Sequence, residues 1–330
     1  MLRASSGLAV LGLVLLTSRL AQATSEFVFA ANFETAPDCS SVGLSSCPGF
    51  AIETPAAQID AGTNIGYCYA FRTPNQIAAI GRFSSVMSPL VRQVIYWQTT
   101  DAGGLPADGL APGTFKPDCG LSTGANGRTF SWVYAAHAPV DQLRMPDDDG
   151  IAQPVAFELP ANAAGFLEIL YSNPSLNAVS VPPVRLVANE RPAGPYTSTS
   201  TYLGVKVAIS IPSDGAEHTV AGGCTVPTSP RWWWFSSQTH SFGVFTELDR
   251  LSGVTTPIVT SSGWTQPAIA TFPTSPFFAF GSGDLLKFTC TYVNNSGHVV
   301  TFGEDYQNDE MCMAIAYLFP ATQAQVCLQF

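Results

Sequence analysis

The chain is predicted to be all-β, built as two packed antiparallel sandwiches, and three observations predict it. Short apolar or alternating runs recur between clusters of Gly, Pro, Ser and Asn. No stretch longer than ten residues beyond the N-terminal segment shows a helical face. A length of 330 residues suits two domains at roughly 150 residues each. In the first half, strands are expected at 27–30, 91–98, 130–134, 166–171 and 181–187; in the second, at 202–211, 231–236, 243–246, 285–292 and 313–319. Residues 188–200, with two prolines, a glycine and a Ser/Thr tail, read as the linker. The expected division is a signal peptide at 1–23, a first sandwich at 24–190 and a second at 200–330. No repeat of fixed period is visible.

The signal reading rests on Arg3, the apolar run 7–16 and the small-residue site Ala21-Gln22-Ala23. That run is shorter than the roughly 20 residues a spanning helix needs, so the mature chain is expected to be exported, with no membrane span. Export places eight cysteines in an oxidising compartment, where an even count favours disulfides. Net charge is −10 with only 14 Lys+Arg and no basic run, which argues against a nucleic-acid partner or an anionic membrane surface. An apolar content of 46% supplies enough side chains for two cores.

Chemistry concentrates in the second half. The stretch Gly283-Asp284, Cys290, Gly303 and Glu310-Met311-Cys312 sets a thioether beside a cysteine, and upstream lies Gln238-Thr239-His240-Ser241-Phe242-Gly243. Together these resemble the C-terminal domain of the copper type II, ascorbate-dependent monooxygenases, the family of peptidylglycine α-hydroxylating and dopamine β-monooxygenases. The likeness spans about 60–330 and is strongest after Cys224. It implies two jelly-roll-like sandwiches, each giving one copper site to a cleft between them, with ascorbate as reductant. It also implies disulfides Cys290–Cys312, Cys224–Cys327 and Cys68–Cys119, leaving Cys39 and Cys47 for a small local loop.

By this resemblance His240 and Met311 stand where two of three ligands of the oxygen-activating copper stand, and Gln238 stands where the third, a histidine, belongs. Neutral imidazole and a soft thioether suit copper that cycles between its two oxidation states, whereas an amide carbonyl is a hard, weak donor. Two readings stay open: a weakened single copper site, or a packed methionine beside a hydrogen-bonded histidine. The family's electron-storing copper takes three histidines, and the matching positions here hold Val91-Arg92-Gln93-Val94-Ile95-Tyr96 and Leu170-Tyr171-Ser172-Asn173-Pro174. The chain has four histidines (His137, His218, His240 and His298), one fewer than the paired-copper mechanism uses. Ser236 and Ile315 replace family residues that contact a peptide substrate, so a glycine-ended peptide is not expected to be one.

Function therefore divides two ways. One is impaired copper-dependent oxygen chemistry at His240, Met311 and Gln238; the other is a non-catalytic extracellular module binding a small molecule or peptide in the inter-domain cleft. Trp232-Trp233-Trp234-Phe235 bears on the second, since alternation would turn Trp232 and Trp234 either towards a ligand or into an inter-domain packing face. His137 follows a strand, where it faces the cleft or solvent. Gly120-Leu121-Ser122-Thr123-Gly124 lacks the strand–helix context of a nucleophile elbow. Asp147-Asp148-Asp149-Gly150 lacks calcium-loop spacing and reads as a turn. Asn294-Asn295-Ser296 fits a glycosylation acceptor.

Overall fold

A computed structural model describes residues 49–99, 111–117 and 130–330. The N-terminal signal, the strand expected at 27–30, Cys39, Cys47, Cys119 and the motif at 120–124 lie outside these residues. Every regular element described is a strand.

The first half contains β1 (Gly49–Glu53), β2 (Ala57–Ile59), β3 (Thr63–Arg72), β4 (Ala78–Val86), β5 (Val91–Thr99) and β6 (Phe115–Pro117). It continues with β7 (Phe130–Ala136), β8 (Val140–Arg144), β9 (Val155–Leu159), β10 (Ala164–Asn173), β11 (Val179–Val181) and β12 (Arg185–Glu190). The second half contains β13 (Thr197–Lys206), β14 (Ser210–Ile211), β15 (Glu217–Thr225), β16 (Arg231–Gln238), β17 (Gly243–Ser252) and β18 (Val254–Ser262). It ends with β19 (Ala270–Thr271), β20 (Leu285–Val293), β21 (Val300–Thr301), β22 (Met313–Phe319) and β23 (Gln325–Gln329).

The halves repeat one topology. Sheet order β3-β10-β5-β7 in the first corresponds to β15-β20-β17-β18 in the second. Likewise β1-β12-β4 with β8 corresponds to β13-β22-β16-β19, and the β2·β11 pair to β14·β21. A local signature recurs with it. Asn173 closes β10, with Nδ2 donating to Ile59 O and Asn177 O while Oδ1 accepts from the Ser175 hydroxyl. Asn294 follows β20 and does the same with Ile211 O, His298 O and the Ser296 hydroxyl. These corners are Asn-x-Ser turns in which the side chain replaces a backbone partner. Asn294 is therefore fully buried with its amide nitrogen engaged, which removes it as a glycosylation acceptor in the folded chain.

The expected linker is largely strand, because 188–190 belong to β12 and 197–200 to β13. Arg191 pins the six residues between them, donating to Val155 O, Met145 O and Pro146 O and pairing with Asp147 at 2.7 Å. That pairing places the Asp147–Asp149 turn in a structural role. β9 then pairs antiparallel with β4 and parallel with β13, so both halves share a ten-stranded sheet. The predicted strand 181–187 breaks at 182–184, where two prolines interrupt the ladder.

Both faces of β22 are buried, which explains its continuous apolar sequence. Met313, Ile315, Tyr317 and Phe319 join the core of the first half, while Ala314, Ala316 and Leu318 join that of the second. Small residues make room in the second core: a Cβ on Gly204 or Gly222 would fall 2.8 Å or 2.3 Å from the buried Phe288 ring. Disulfides Cys224–Cys327 and Cys290–Cys312 staple this half. Cys68 is disulfide-bonded as well.

Candidate functional site

β16 ends at Gln238, the chain turns through 239–242, and β17 begins at Gly243. One carboxylate shapes this turn. Glu310, fully buried, accepts from His240 N–H at 2.8 Å and Met311 N–H at 3.1 Å through Oε2, and from Phe242 N–H at 2.7 Å through Oε1. The backbones of His240 and Met311 thus meet on a single oxygen atom, although 70 residues separate His240 from Glu310. The Tyr292 hydroxyl donates to Met311 O at 2.8 Å, and Cys312 is bonded to Cys290, so the methionine is held on both sides. Its half-buried side chain packs on the core of the first half.

His240 is 1% exposed, and its Nδ1–H donates to Asp309 O at 3.2 Å. That bond fixes the proton on Nδ1 and leaves Nε2 as the nitrogen with a free lone pair. The ring lies 4.2 Å from that of Tyr306. Burial drives the imidazole down to about 4, so it is neutral at physiological pH.

Gln238 turns to the first half instead. Its Oε1 accepts from Gln93 Nε2 at 2.8 Å and its Nε2 donates to Gln93 Oε1 at 3.0 Å, a reciprocal amide pair. His137 Nε2 lies 3.1 Å from Gln93 Nε2 and 3.4 Å from Gln238 Oε1. The shorter contact makes His137 Nε2 the acceptor of the second amide hydrogen of Gln93. His137 therefore faces this seam; burial pushes its imidazole down to about 4. Gln93 reaches the seam because it shares a face of β5 with Ile95, the side opposite Val94 and Tyr96.

Lower in the seam, Tyr306 OH donates to Glu168 at 3.2 Å, and Trp97 Nε1 donates to the same carboxylate at 2.8 Å. Burial raises Glu168 despite these donors. A cavity of about 380 Å³ opens here, lined by Asn64, Gly66, Glu168 and Leu170 of the first half and by Glu304, Asp305, Tyr306 and Gln307 of the second.

Trp232 is fully buried among Tyr202, Phe235 and Phe280, so no ligand reaches it. A bulge at Trp233 then turns Trp233 and Trp234 together towards the first core, where Trp234 meets Tyr317 edge-on at 5.2 Å. His218 pairs with Asp214 at 2.9 Å on the surface, far in sequence from the turn. Sequence reasoning missed Glu310 as organiser and Gln93 and Tyr306 as seam residues. A polar Gln93 within the otherwise apolar face of β5 was the available signal.

Residues 198–330 match the family model described as copper type II ascorbate-dependent monooxygenase, C-terminal domain. Gln238, His240, Glu310 and Met311 all lie inside the matched residues. A search of the curated proteins finds no match. Among solved structures, the atomic structure of Sulfolobus turreted icosahedral virus is 10% identical, covering 82% of this chain and 90% of that one, with a TM-score of 0.31. The structure of infectious bursal disease virus Gx strain is 9% identical over 82% and 71%, with a TM-score of 0.16. Likenesses at those scores carry no inference. Among the described residues, no helix is long and apolar enough to cross a membrane.

The two imidazoles, His240 buried and His137 half-buried, give a pH dependence. Their folded pKa values lie below the ordinary 6.5, so the unfolded chain binds protons between about 6.5 and 4 that the folded chain does not. Stability from this source is complete above 6.5 and is lost as pH falls towards 4. Glu310 opposes it: burial raises its carboxyl to about 8 against the pull of its backbone N–H donors, so its contribution is lost as pH rises from 4.5 to 8. Two imidazoles outweigh one carboxyl, and stability should rise by about 2 kcal/mol from pH 4.5 to 6.5. Urea unfolding at both pH values measures this, and His137→Gln should remove much of the rise.

Proposed function

We propose that this chain is a secreted relative of the copper type II monooxygenases in which paired-copper hydroxylation is lost and at most one weak copper site, His240 with Met311, is kept. The observation that carries this reading is the amide pair: the third ligand position, Gln238, spends both ends of its side chain on Gln93. The donor set does not fit a paired centre. Among the described residues no cluster of three or more His, Cys, Asp or Glu is placed to hold a metal. His240 Nε2 and the Met311 sulfur supply two donors suited to reduced copper, and two donors hold it weakly. The disulfides agree with an oxidising, extracellular compartment.

The cavity beside Tyr306 favours a second reading, a non-catalytic extracellular module whose seam binds a small molecule or a peptide end. Its volume falls within the range of small-molecule sites, roughly 300–1,000 Å³. Titration of the reduced, disulfide-intact protein with copper(I) against a chromophoric chelator tests the first reading. The expected result is at most one equivalent, bound no tighter than about micromolar and abolished by His240→Ala. Two tightly bound equivalents would overturn it.

A further inference from the structure

We propose that Gln93, His137 and Gln238 form a single latch across the seam, a metal-excluding node that holds the two halves together and becomes a site for a divalent transition metal only when both glutamines are imidazoles. Three observations carry this. The contacts run through Gln93: it exchanges two hydrogen bonds with Gln238 at 2.8 and 3.0 Å and donates its second amide hydrogen to His137 Nε2 at 3.1 Å. The residues come from three places in the chain, with 145 positions between Gln93 and Gln238, so only the packing of the halves brings them together. Gln93 and Gln238 are 2% and 3% exposed, so neither amide can exchange its partner for water, and separating the halves would strand both.

The exclusion of metal follows from the chemistry of the node. Both amide oxygens are occupied by N–H donors, and the lone pair of His137 Nε2 receives an amide hydrogen. One imidazole and two engaged amide oxygens make a poor site for a borderline cation. The spacing is nevertheless suited to coordination. Nitrogens bound to a tetrahedral metal at about 2.0–2.1 Å lie roughly 3.3 Å from each other, close to the separations seen here. Imidazole Nε2 reaches about as far from the backbone as a glutamine amide. The node does not depend on whether His240 and Met311 hold copper, because neither side chain belongs to it.

The test is the double variant Gln93→His with Gln238→His, titrated with cobalt(II) as the probe. It should take up one equivalent, at least 100-fold more tightly than either single variant, with the visible absorption of a tetrahedral site. Adding His137→Ala should abolish that gain. A double variant that binds no better than the singles, or one indifferent to His137→Ala, would overturn the proposal. Should the histidine variants not fold, the alanine cycle decides. Gln93→Ala, Gln238→Ala and the pair together should shift the urea midpoint by the same amount as the larger single change, and additive shifts would sink the latch.

Discussion

Glu310→Ala should destabilise the protein by several kcal/mol, the largest effect expected of any single substitution here. The carboxyl group serves three backbone N–H groups at 2.7–3.1 Å in a fully buried turn. Each donor left without a partner costs about 1–3 kcal/mol. Water cannot replace the carboxylate without opening the turn, so the loss falls on His240 and Met311 together. Glu310→Gln should cost less than alanine, because burial raises the carboxyl to about 8 and at pH 7 it is mostly neutral, with one accepting oxygen that the amide keeps. Urea unfolding at pH 7 gives the free energies. An alanine variant within 1 kcal/mol of the parent would mean that Glu310 does not organise the turn. The same variant should abolish any copper(I) binding at His240, which joins the stability measurement to the proposed function.

The second large effect is expected from Cys224→Ser with Cys327→Ser. This bond closes a loop of 103 residues and ties β15 to β23. Loop entropy alone assigns it about 4.7 kcal/mol, against about 3.4 kcal/mol for the 22-residue loop of Cys290–Cys312. The order of these values is the test. β23 sharpens the difference, because Val326 and Leu328 are about half exposed and add little burial to its pairing with β13. Without the bond β23 should fray, visible as faster amide exchange in 325–329 than in β22. If removing Cys290–Cys312 costs more than removing Cys224–Cys327, the entropic account fails and packing around the shorter loop governs.

Strands that carry their own pattern were legible. β22 was read to the residue as 313–319, and β5, β10, β16 and β20 to within two residues, because each is an apolar or alternating run between turn-forming residues. β4 and β15 escaped notice: β4 alternates buried and half-buried positions that include Ser, Gly and Arg, and β15 is largely exposed or half-buried with Thr, Gly and His, so hydrophobicity singles out neither. The duplication escaped as well, since its trace is the pair of Asn-x-Ser corners at 173 and 294, and the halves share topology with no fixed sequence period. At the candidate site, the motif reading selected His240, Met311 and Gln238 by resemblance, and their partners were beyond its reach.

What the amino-acid sequence determined by itself is the all-β class, an even number of cysteines and the residue types available for chemistry. Those properties are local or compositional: periodicity, turn residues, thiols and a count of four imidazoles. The tertiary structure alone decided that Gln93 bonds both Gln238 and His137, that Glu310 joins His240 to Met311, and that one sheet runs through both halves. Each of these is a contact between distant segments, and buried polar groups must find partners wherever packing places them. Hydrogen bonding of that kind depends on the orientation of side chains across a seam, which no local sequence pattern encodes.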